Sequence, residues 1–265
     1  MHNAAFAALG LNWRYFAFEV HPNDLSAAIE GVRVMGFAGL NLTVPHKLPA
    51  LKLMDALDKS AKKWGAVNTI RFESAGVGGR SKVRAVGFNT DADAIAAALR
   101  EDLKLELRGA RVLLLGAGGA GRTAALKLAA EKVAELFLVN RTSARARTVA
   151  SELKRLFPST RVTLGYPTSD VDLLINATSL GLKSGDASPV DGKQFALKQA
   201  RTVYDMIYRP AETPLLKAAR KAGCRAANGL GMLLHQGAKA FEIWTGKTAP
   251  LDVMHRALEQ NIYGH

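Results

Sequence analysis

The run Gly116-Ala117-Gly118-Gly119-Ala120-Gly121 fits the pattern G-x-G-x-x-G. Glycine-rich turns are common, so its surroundings decide its meaning. The apolar stretch Val112-Leu113-Leu114-Leu115 leads into it, and an alanine-rich segment follows, which is the strand–turn–helix context of a dinucleotide fingerprint. There Gly116 permits the tight turn, Gly118 lets a pyrophosphate approach the backbone, and Gly121 lets the helix pack closely on the strand. The helix start offers free N–H groups and the positive end of a dipole to phosphates. The next apolar stretch ends at Asn140-Arg141-Thr142, with Arg145 one turn later. A site for an unphosphorylated ribose normally places an acidic residue here, and none is present. An acid would repel a 2′-phosphate, whereas two guanidiniums attract one and can hold it bidentately. The expected cofactor is therefore NADP. The competing reading, that Arg141 and Arg145 merely solvate a helix start, is disfavoured by their offset from the glycines.

Four further motifs carry polar side chains beside apolar strands or helix starts: Asn41-Leu42-Thr43-Val44-Pro45-His46-Lys47, Gly65-Ala66-Val67-Asn68-Thr69, Gly87-Phe88-Asn89-Thr90-Asp91, and Asn228-Gly229-Leu230-Gly231-Met232-Leu233-Leu234-His235-Gln236. Ligands gather at such ends in α/β folds. Asn, Thr, Gln, Lys and Asp suit a small polyhydroxylated ligand, because each pairs with a hydroxyl and rejects analogues lacking it.

The elements that must position these residues read as alternating strands and helices, the pattern of an α/β protein. Early strands are expected at Tyr15–Val20, Leu40–Val44, Val67–Phe72 and Val83–Phe88, with Gly76, Gly78 and Gly79 as a tight loop. Helical periodicity covers Asp24–Met35 and much of Leu48–Lys63. A second block opens with a helix over Asp91–Leu103, then strands at Arg111–Leu115, Leu136–Val139, Val162–Leu164, Leu173–Ile175 and Val203–Met206, with helices at Ala120–Val133 and Ala144–Leu156. This second block is a doubly wound Rossmann domain. Helices near Leu230–Thr245 and Asp252–Asn261 close the chain and are expected to pack back on the first domain. The expected domains are residues 1–91 plus 237–265, and residues 92–236.

Composition bounds the partners. The 265 residues are 48% hydrophobic and 22% charged, ordinary for a globular protein. No apolar run approaches the roughly 18 residues of a membrane helix. The opening Met1-His2-Asn3-Ala4-Ala5-Phe6 lacks the pattern of a signal peptide. A single cysteine, Cys224, excludes an internal disulfide and points to the cytoplasm. The six histidines and Cys224 show no metal-ligand spacing, so no metal is expected. The net charge of +13 raises nucleic acid as a partner. Its carriers, such as Lys52, Lys59, Lys62, Lys63, Lys127, Lys132, Lys217 and Lys221, are scattered, with no aromatic RNA motif or basic tail. Neither nucleic acid nor membrane is expected, and a positive field would draw in small anions.

Taken together, the chain resembles the shikimate dehydrogenase family. Asn-x-Thr-x-Pro-x-Lys, Ala-Val-Asn-Thr, Asn-Thr-Asp, Gly-Ala-Gly-Gly-Ala-Gly, Asn-Arg-Thr, Asn-Ala-Thr-Ser-x-Gly and Gly-Leu-Gly-Met-Leu occur in family order from end to end. The resemblance implies a substrate domain and an NADP domain flanking a cleft. It implies NADPH-dependent reduction of 3-dehydroshikimate to shikimate, in the pathway to aromatic amino acids, by a monomer or homodimer. Lys47 and Asp91 correspond to the catalytic pair. Thr43, Asn68 and Gln236 correspond to residues on the ring hydroxyls, and Tyr208 to one near the carboxylate. Asn140, Arg141, Thr142 and Arg145 match the adenosine-phosphate clamp, beside Gly116, Ala117, Gly118, Gly119, Ala120 and Gly121. Asn176-Ala177-Thr178-Ser179-Leu180-Gly181 and Met206 match the nicotinamide side, and Gly229 is counted with the cofactor contacts. Hydride delivery to a ketone leaves negative charge on oxygen, which an ammonium group stabilises and protonates. Without the motif, Lys47 would read as a solvated lysine and Asp91 as a helix cap; His46 reads as a bystander. A broader quinate/shikimate dehydrogenase is the near alternative. Family members usually carry a strand and a Ser-x-Ser-Pro loop upstream of the His-Asn matched by His2-Asn3. The chain starts at Met1-His2-Asn3, so the expectation is firm NADPH binding with poor handling of shikimate, and a non-catalytic NADP-binding module as the further alternative.

Overall fold

The computed structural model describes residues 1–75, 82–183 and 185–264; Gly76, Gly78 and Gly79 lie outside the described residues. In chain order the elements are α1 (His2–Ala8), α2 (Leu25–Val34), β1 (Gly39–Asn41), β2 (Ala56–Leu57), α3 (Lys59–Trp64), β3 (Thr69–Ala75), β4 (Lys82–Phe88) and α4 (Asp91–Leu103). There follow β5 (Arg111–Leu115), α5 (Gly119–Ala130), β6 (Glu135–Val139), α6 (Ser143–Leu156), β7 (Arg161–Leu164) and β8 (Val171–Asn176). The chain ends with β9 (Ala200–Asp205), α7 (Pro214–Lys221), β10 (Arg225–Asn228), α8 (Leu230–Thr245) and α9 (Leu251–Tyr263). Two compact units result, Met1–Asp91 with Leu234–His265, and Ala92–Leu233. The return to the first unit falls at Leu234, inside α8, rather than at 237.

The first unit is built on a four-stranded sheet in the order β1-β3-β4-β2. β3 runs antiparallel to both β1 and β4, while β2 joins β4 in parallel. Leu25 and Ile29 of α2, Ala61 of α3, Val67, Ile70 and Ala85 form its core. The closing helices belong here. Trp244 of α8 donates its indole N–H to the Ile70 carbonyl at 2.9 Å, and Phe241 stacks on Phe6 of α1 at 5.4 Å. Gly39 is required at that contact, since a Cβ would fall on the Ile70 carbonyl and the Trp244 ring.

Two expectations for this unit need correction. Tyr15–Val20 is not a strand. The Asn3 amide takes up the Tyr15 peptide groups instead, accepting from the Tyr15 N–H at 2.7 Å and donating to its carbonyl at 3.0 Å, so Tyr15 itself joins no ladder. Leu48–Lys63 is not one helix either. Residues Pro49–Leu53 form a short 3-10 turn, Ala56–Leu57 pairs with β4, and only Lys59–Trp64 is α-helical. The break is built by side chains. Asp55 accepts from the Ala85 N–H at 2.8 Å, and Asp58 caps the new helix through the Ser60 N–H at 2.8 Å. The helices α1 and α7 and the strand β10 carry no sequence expectation.

The second unit holds six parallel strands in the order β10-β9-β8-β5-β6-β7. β5 lies between β6 and β8, so the winding reverses at β5, and ligands of such sheets bind beyond the carboxyl ends of the strands at that point. Val112, Leu113, Leu114, Leu173, Leu174 and Ile175 are fully buried, as expected for a sheet covered on both faces.

Candidate active site

In the first unit, Lys47 and Asp91 meet. Lys47 follows the turn after β1, where the Val44–Pro45 peptide is cis, and its carbonyl accepts from the Val67 N–H at 2.9 Å. Asp91 is the first residue of α4, where the helix dipole favours an anion. The Lys47 Nζ donates to Asp91 Oδ2 at 2.7 Å. The lysine side chain keeps 28% exposure and the aspartate 11%, so the ammonium is the accessible partner. His46 beside it bonds the Val20 carbonyl through Nε2 at 3.1 Å, which ties it to the segment behind.

Asn68 holds Asp91 from the other side. Its Nδ2 donates to Asp91 Oδ1 at 2.8 Å and to Thr90 Oγ1 at 2.9 Å. Its Oδ1 accepts from the Thr90 N–H at 2.8 Å and from Thr69 Oγ1 at 3.2 Å. A side-chain amide has two donors and two acceptor sites, so Asn68 is fully engaged, and it is 1% exposed. Thr43, by contrast, is exposed on the turn before Lys47, and Gln236 is half-buried on the part of α8 that belongs to this unit.

In the second unit, the glycine run lies beyond β5. Gly116 has φ of +104°, and a Cβ there would meet the Ala177 backbone at 2.9 Å. Gly121 packs so closely that a Cβ would fall on the Gly116 carbonyl oxygen. Gly118 and Gly119 face open space. The glycines thus meet three separate demands, a left-handed turn, close helix–strand packing and clearance before the α5 N-terminus. Clearance at a helix N-terminus is what a pyrophosphate requires, so these residues fit a dinucleotide. Asn140, at the end of β6, accepts from the Ala117 N–H at 2.9 Å and donates to the Thr142 carbonyl at 2.8 Å. It therefore braces the glycine loop against the arginine loop. Arg141 and Arg145 are exposed and have no ion-pair partner among the described residues. Arg122 of α5 is instead tied to Glu152, through contacts of 2.6 and 2.8 Å.

Thr178 and Met206 follow β8 and β9, and a buried polar hub supports them. Asn176 Oδ1 accepts from the Thr178 N–H at 3.0 Å and its hydroxyl at 2.7 Å. Asn176 Nδ2 donates to Asp205 Oδ1 at 3.0 Å. Asp205 also accepts from the Ile207 N–H at 3.1 Å and the Thr213 hydroxyl at 2.6 Å. Burial raises the Asp205 carboxyl above the ordinary range, with these bonds opposing the shift. Gly229 packs against Met206 so tightly that a Cβ would fall on the Met206 carbonyl. Tyr208, on the same segment, is 39% exposed.

The sequence reading missed Asn41, Thr69, Asp205 and Thr213. Asn41 and Thr69 open and close motifs already singled out, and Asp205 is an acid ending an apolar strand. Those were the signals available.

Comparison with known proteins shows what the chain is similar to. The family described as shikimate dehydrogenase substrate binding domain matches residues 1–70, shikimate / quinate 5-dehydrogenase matches 98–182, and shikimate 5′-dehydrogenase C-terminal domain matches 229–259. The shikimate dehydrogenase (NADP(+)) of Methanopyrus kandleri is 41% identical over 269 residues, covering 99% of this chain and 90% of that protein. The shikimate 5-dehydrogenase of Thermus thermophilus, solved in complex with NADP(H) and shikimate, superposes with a TM-score of 0.82 at 35% identity, over 98% of this chain and 92% of that one. A ligand-free 5-ketofructose reductase of a Gluconobacter species superposes with a TM-score of 0.83 at 33% identity, over 98% and 92% of the two chains.

Proposed function

This chain belongs to the shikimate dehydrogenase family, and from that premise we propose that it catalyses the reversible NADPH-dependent reduction of 3-dehydroshikimate to shikimate. The observation that carries the proposal is the Lys47–Asp91 pair, formed at 2.7 Å with the ammonium as its accessible member. The first unit binds the substrate and the second binds NADP. The cofactor, when bound, supplies or accepts the hydride. Lys47 stabilises the oxygen that gains negative charge and gives it a proton. Asp91 fixes the ammonium in place, itself held by Asn68 and the start of α4. Thr43 and Gln236 take ring hydroxyls, and Tyr208 serves the carboxylate. Asn68 reaches a hydroxyl only by exchanging one of its four present bonds. The exposed Arg141 and Arg145, with the Thr142 region, hold the 2′-phosphate, and the residues from Gly116 to Gly121 hold the pyrophosphate. Thr178, Met206 and Gly229 border the nicotinamide. The single cysteine, Cys224, supports a cytoplasmic location, and the protein acts as a monomer or homodimer.

The test is NADP⁺ reduction with shikimate, with quinate run beside it. Shikimate-dependent NADPH formation is the expected result. No turnover with shikimate, or greater efficiency with quinate, overturns the substrate assignment.

A further inference from the structure

Asp205 ends β9 fully buried, and the reaction as described gives it no role. Its Oδ1 accepts from Asn176 Nδ2 at 3.0 Å and from the Ile207 N–H at 3.1 Å, and its Oδ2 accepts from the Thr213 hydroxyl at 2.6 Å. Asn176 and Asp205 are register partners across β8 and β9, so the sheet sets their approach. Asn176 passes the contact on. Its Nδ2 also donates to the Leu180 carbonyl at 3.1 Å, its Oδ1 holds the N–H and hydroxyl of Thr178, and its backbone carbonyl accepts from the Met206 N–H at 3.0 Å. The loop after β8, which carries Thr178, is thereby locked to the loop after β9, which carries Met206.

The polarity of this network follows from its ends. The Thr178 N–H can only donate and the Leu180 carbonyl can only accept, so Asn176 turns its oxygen to the first and its amide to the second. That amide and the Ile207 N–H both bring a hydrogen to Asp205 Oδ1, which must therefore accept. Asp205 forms no ion pair among the described residues, so dipoles alone hold the carboxylate. A charge buried without a counter-ion is costly, and well-packed apolar residues serve stability at least as well. What the carboxylate adds is direction, since it gathers donors from β8, from the loop after β9 and from the cap of α7 at one point. Asp205 and Asn176 are both fully buried, which leaves neither any surface for a ligand.

We propose that Asp205 and Asn176 are positioning residues for the nicotinamide half of NADP(H), holding the Thr178 and Met206 loops in one joint conformation without touching the cofactor themselves. The proposal rests on the NADP-dependent shikimate dehydrogenase reading above. Asn176→Ala removes the link between the loops, and Asp205→Ala removes its anchor. In each, kcat with shikimate and NADP⁺ is expected to fall at least about tenfold, because a misplacement of about 1 Å at the reacting end can cost about a hundredfold. The Kd of adenosine 2′,5′-bisphosphate, which carries the 2′-phosphate and no nicotinamide, is expected to stay within about twofold of the parent. Asp205→Asn keeps an oxygen for Asn176 and Ile207 and turns an amide toward the Thr213 hydroxyl, which can accept. It is expected to restore kcat to within about threefold of the parent. Parental kcat in both alanine variants overturns the proposal. So does a bisphosphate affinity that falls in step with kcat, the mark of a damaged fold, or an Asp205→Asn variant as slow as Asp205→Ala. Where Asp205→Ala does not fold, Asn176→Ala decides alone. A parent with no shikimate turnover counts against the functional reading instead, and crystals of the parent and of Asn176→Ala grown with NADPH then decide. A nicotinamide ring placed as in the parent overturns the proposal, and a displaced ring upholds it.

Discussion

Replacing Arg141 and Arg145 together by alanine is expected to convert an NADPH-preferring protein into one with no preference. Both guanidiniums are exposed and carry no ion pair among the described residues. Their removal therefore breaks no side-chain hydrogen bond or ion pair among the described residues, and the fold should melt as before. A hydrogen bond to a charged group contributes about 1.5–3 kcal/mol. Exposure and salt screening place these two at the low end, about 1.5 kcal/mol each. At about 1.4 kcal/mol per factor of ten, the pair is worth roughly a hundredfold in the Kd of NADPH. NADH lacks the 2′-phosphate, so its Kd should stay put. Arg122 provides a control inside the same molecule. It sits in the first turn of α5, yet Glu152 occupies its guanidinium. Arg122→Ala should therefore leave the ratio of the two affinities unchanged. Fluorescence titration of each variant with NADPH and NADH reads this directly, and added salt should weaken NADPH binding in the parent more than in the double variant. Equal parental affinities for the two cofactors would refute the reasoning. A double variant that keeps its NADPH affinity, or loses NADH binding in parallel, would do the same.

Other outcomes follow from the same geometry. Lys47→Ala should lower kcat at least about a hundredfold, as loss of a general acid does, while NADPH titrations stay parental; near-parental turnover would remove Lys47 from the role. Gly118→Ala should weaken dinucleotide binding without lowering Tm, because its Cβ enters open space, whereas Gly121→Ala should lower both, since its Cβ falls on the Gly116 carbonyl. Equal Tm losses in the two variants would contradict this contrast. Desolvation pushes the buried His2 imidazole down to about 4 from its ordinary value of 6.5. The unfolded chain binds the proton first, so the stability that His2 contributes is present above 6.5 and is lost as pH falls toward about 4. A His2→Phe variant should show a smaller drop in Tm over that window, and an identical drop would show that His2 is not its source.

Much of the second unit was legible in the sequence because its signals are local. The strand Arg111–Leu115 is largely apolar, the glycines follow it directly, and Asn140-Arg141-Thr142 ends the next strand. Each demand there falls on neighbouring residues: a positive φ at Gly116, contact at Gly121, and free charge at Arg141 and Arg145. The first unit was less legible. Tyr15–Val20 has the residue types of a strand, yet strand identity depends on a partner, and the Asn3 amide occupies the Tyr15 peptide groups. Leu48–Lys63 has helical spacing, yet Ala56–Leu57 is claimed by β4 and Asp55 by Ala85. Motifs brought Lys47, Asn68 and Asp91 to notice as residues of the right type. Only the tertiary structure decided that the four bonds of Asn68 are all used within the protein, that Asn41 and Thr69 stand behind it, and that Asp205 joins three segments below Thr178. The reason is physical: a buried amide or carboxylate is defined by the donors and acceptors that satisfy it, and several of these come from segments far apart along the chain.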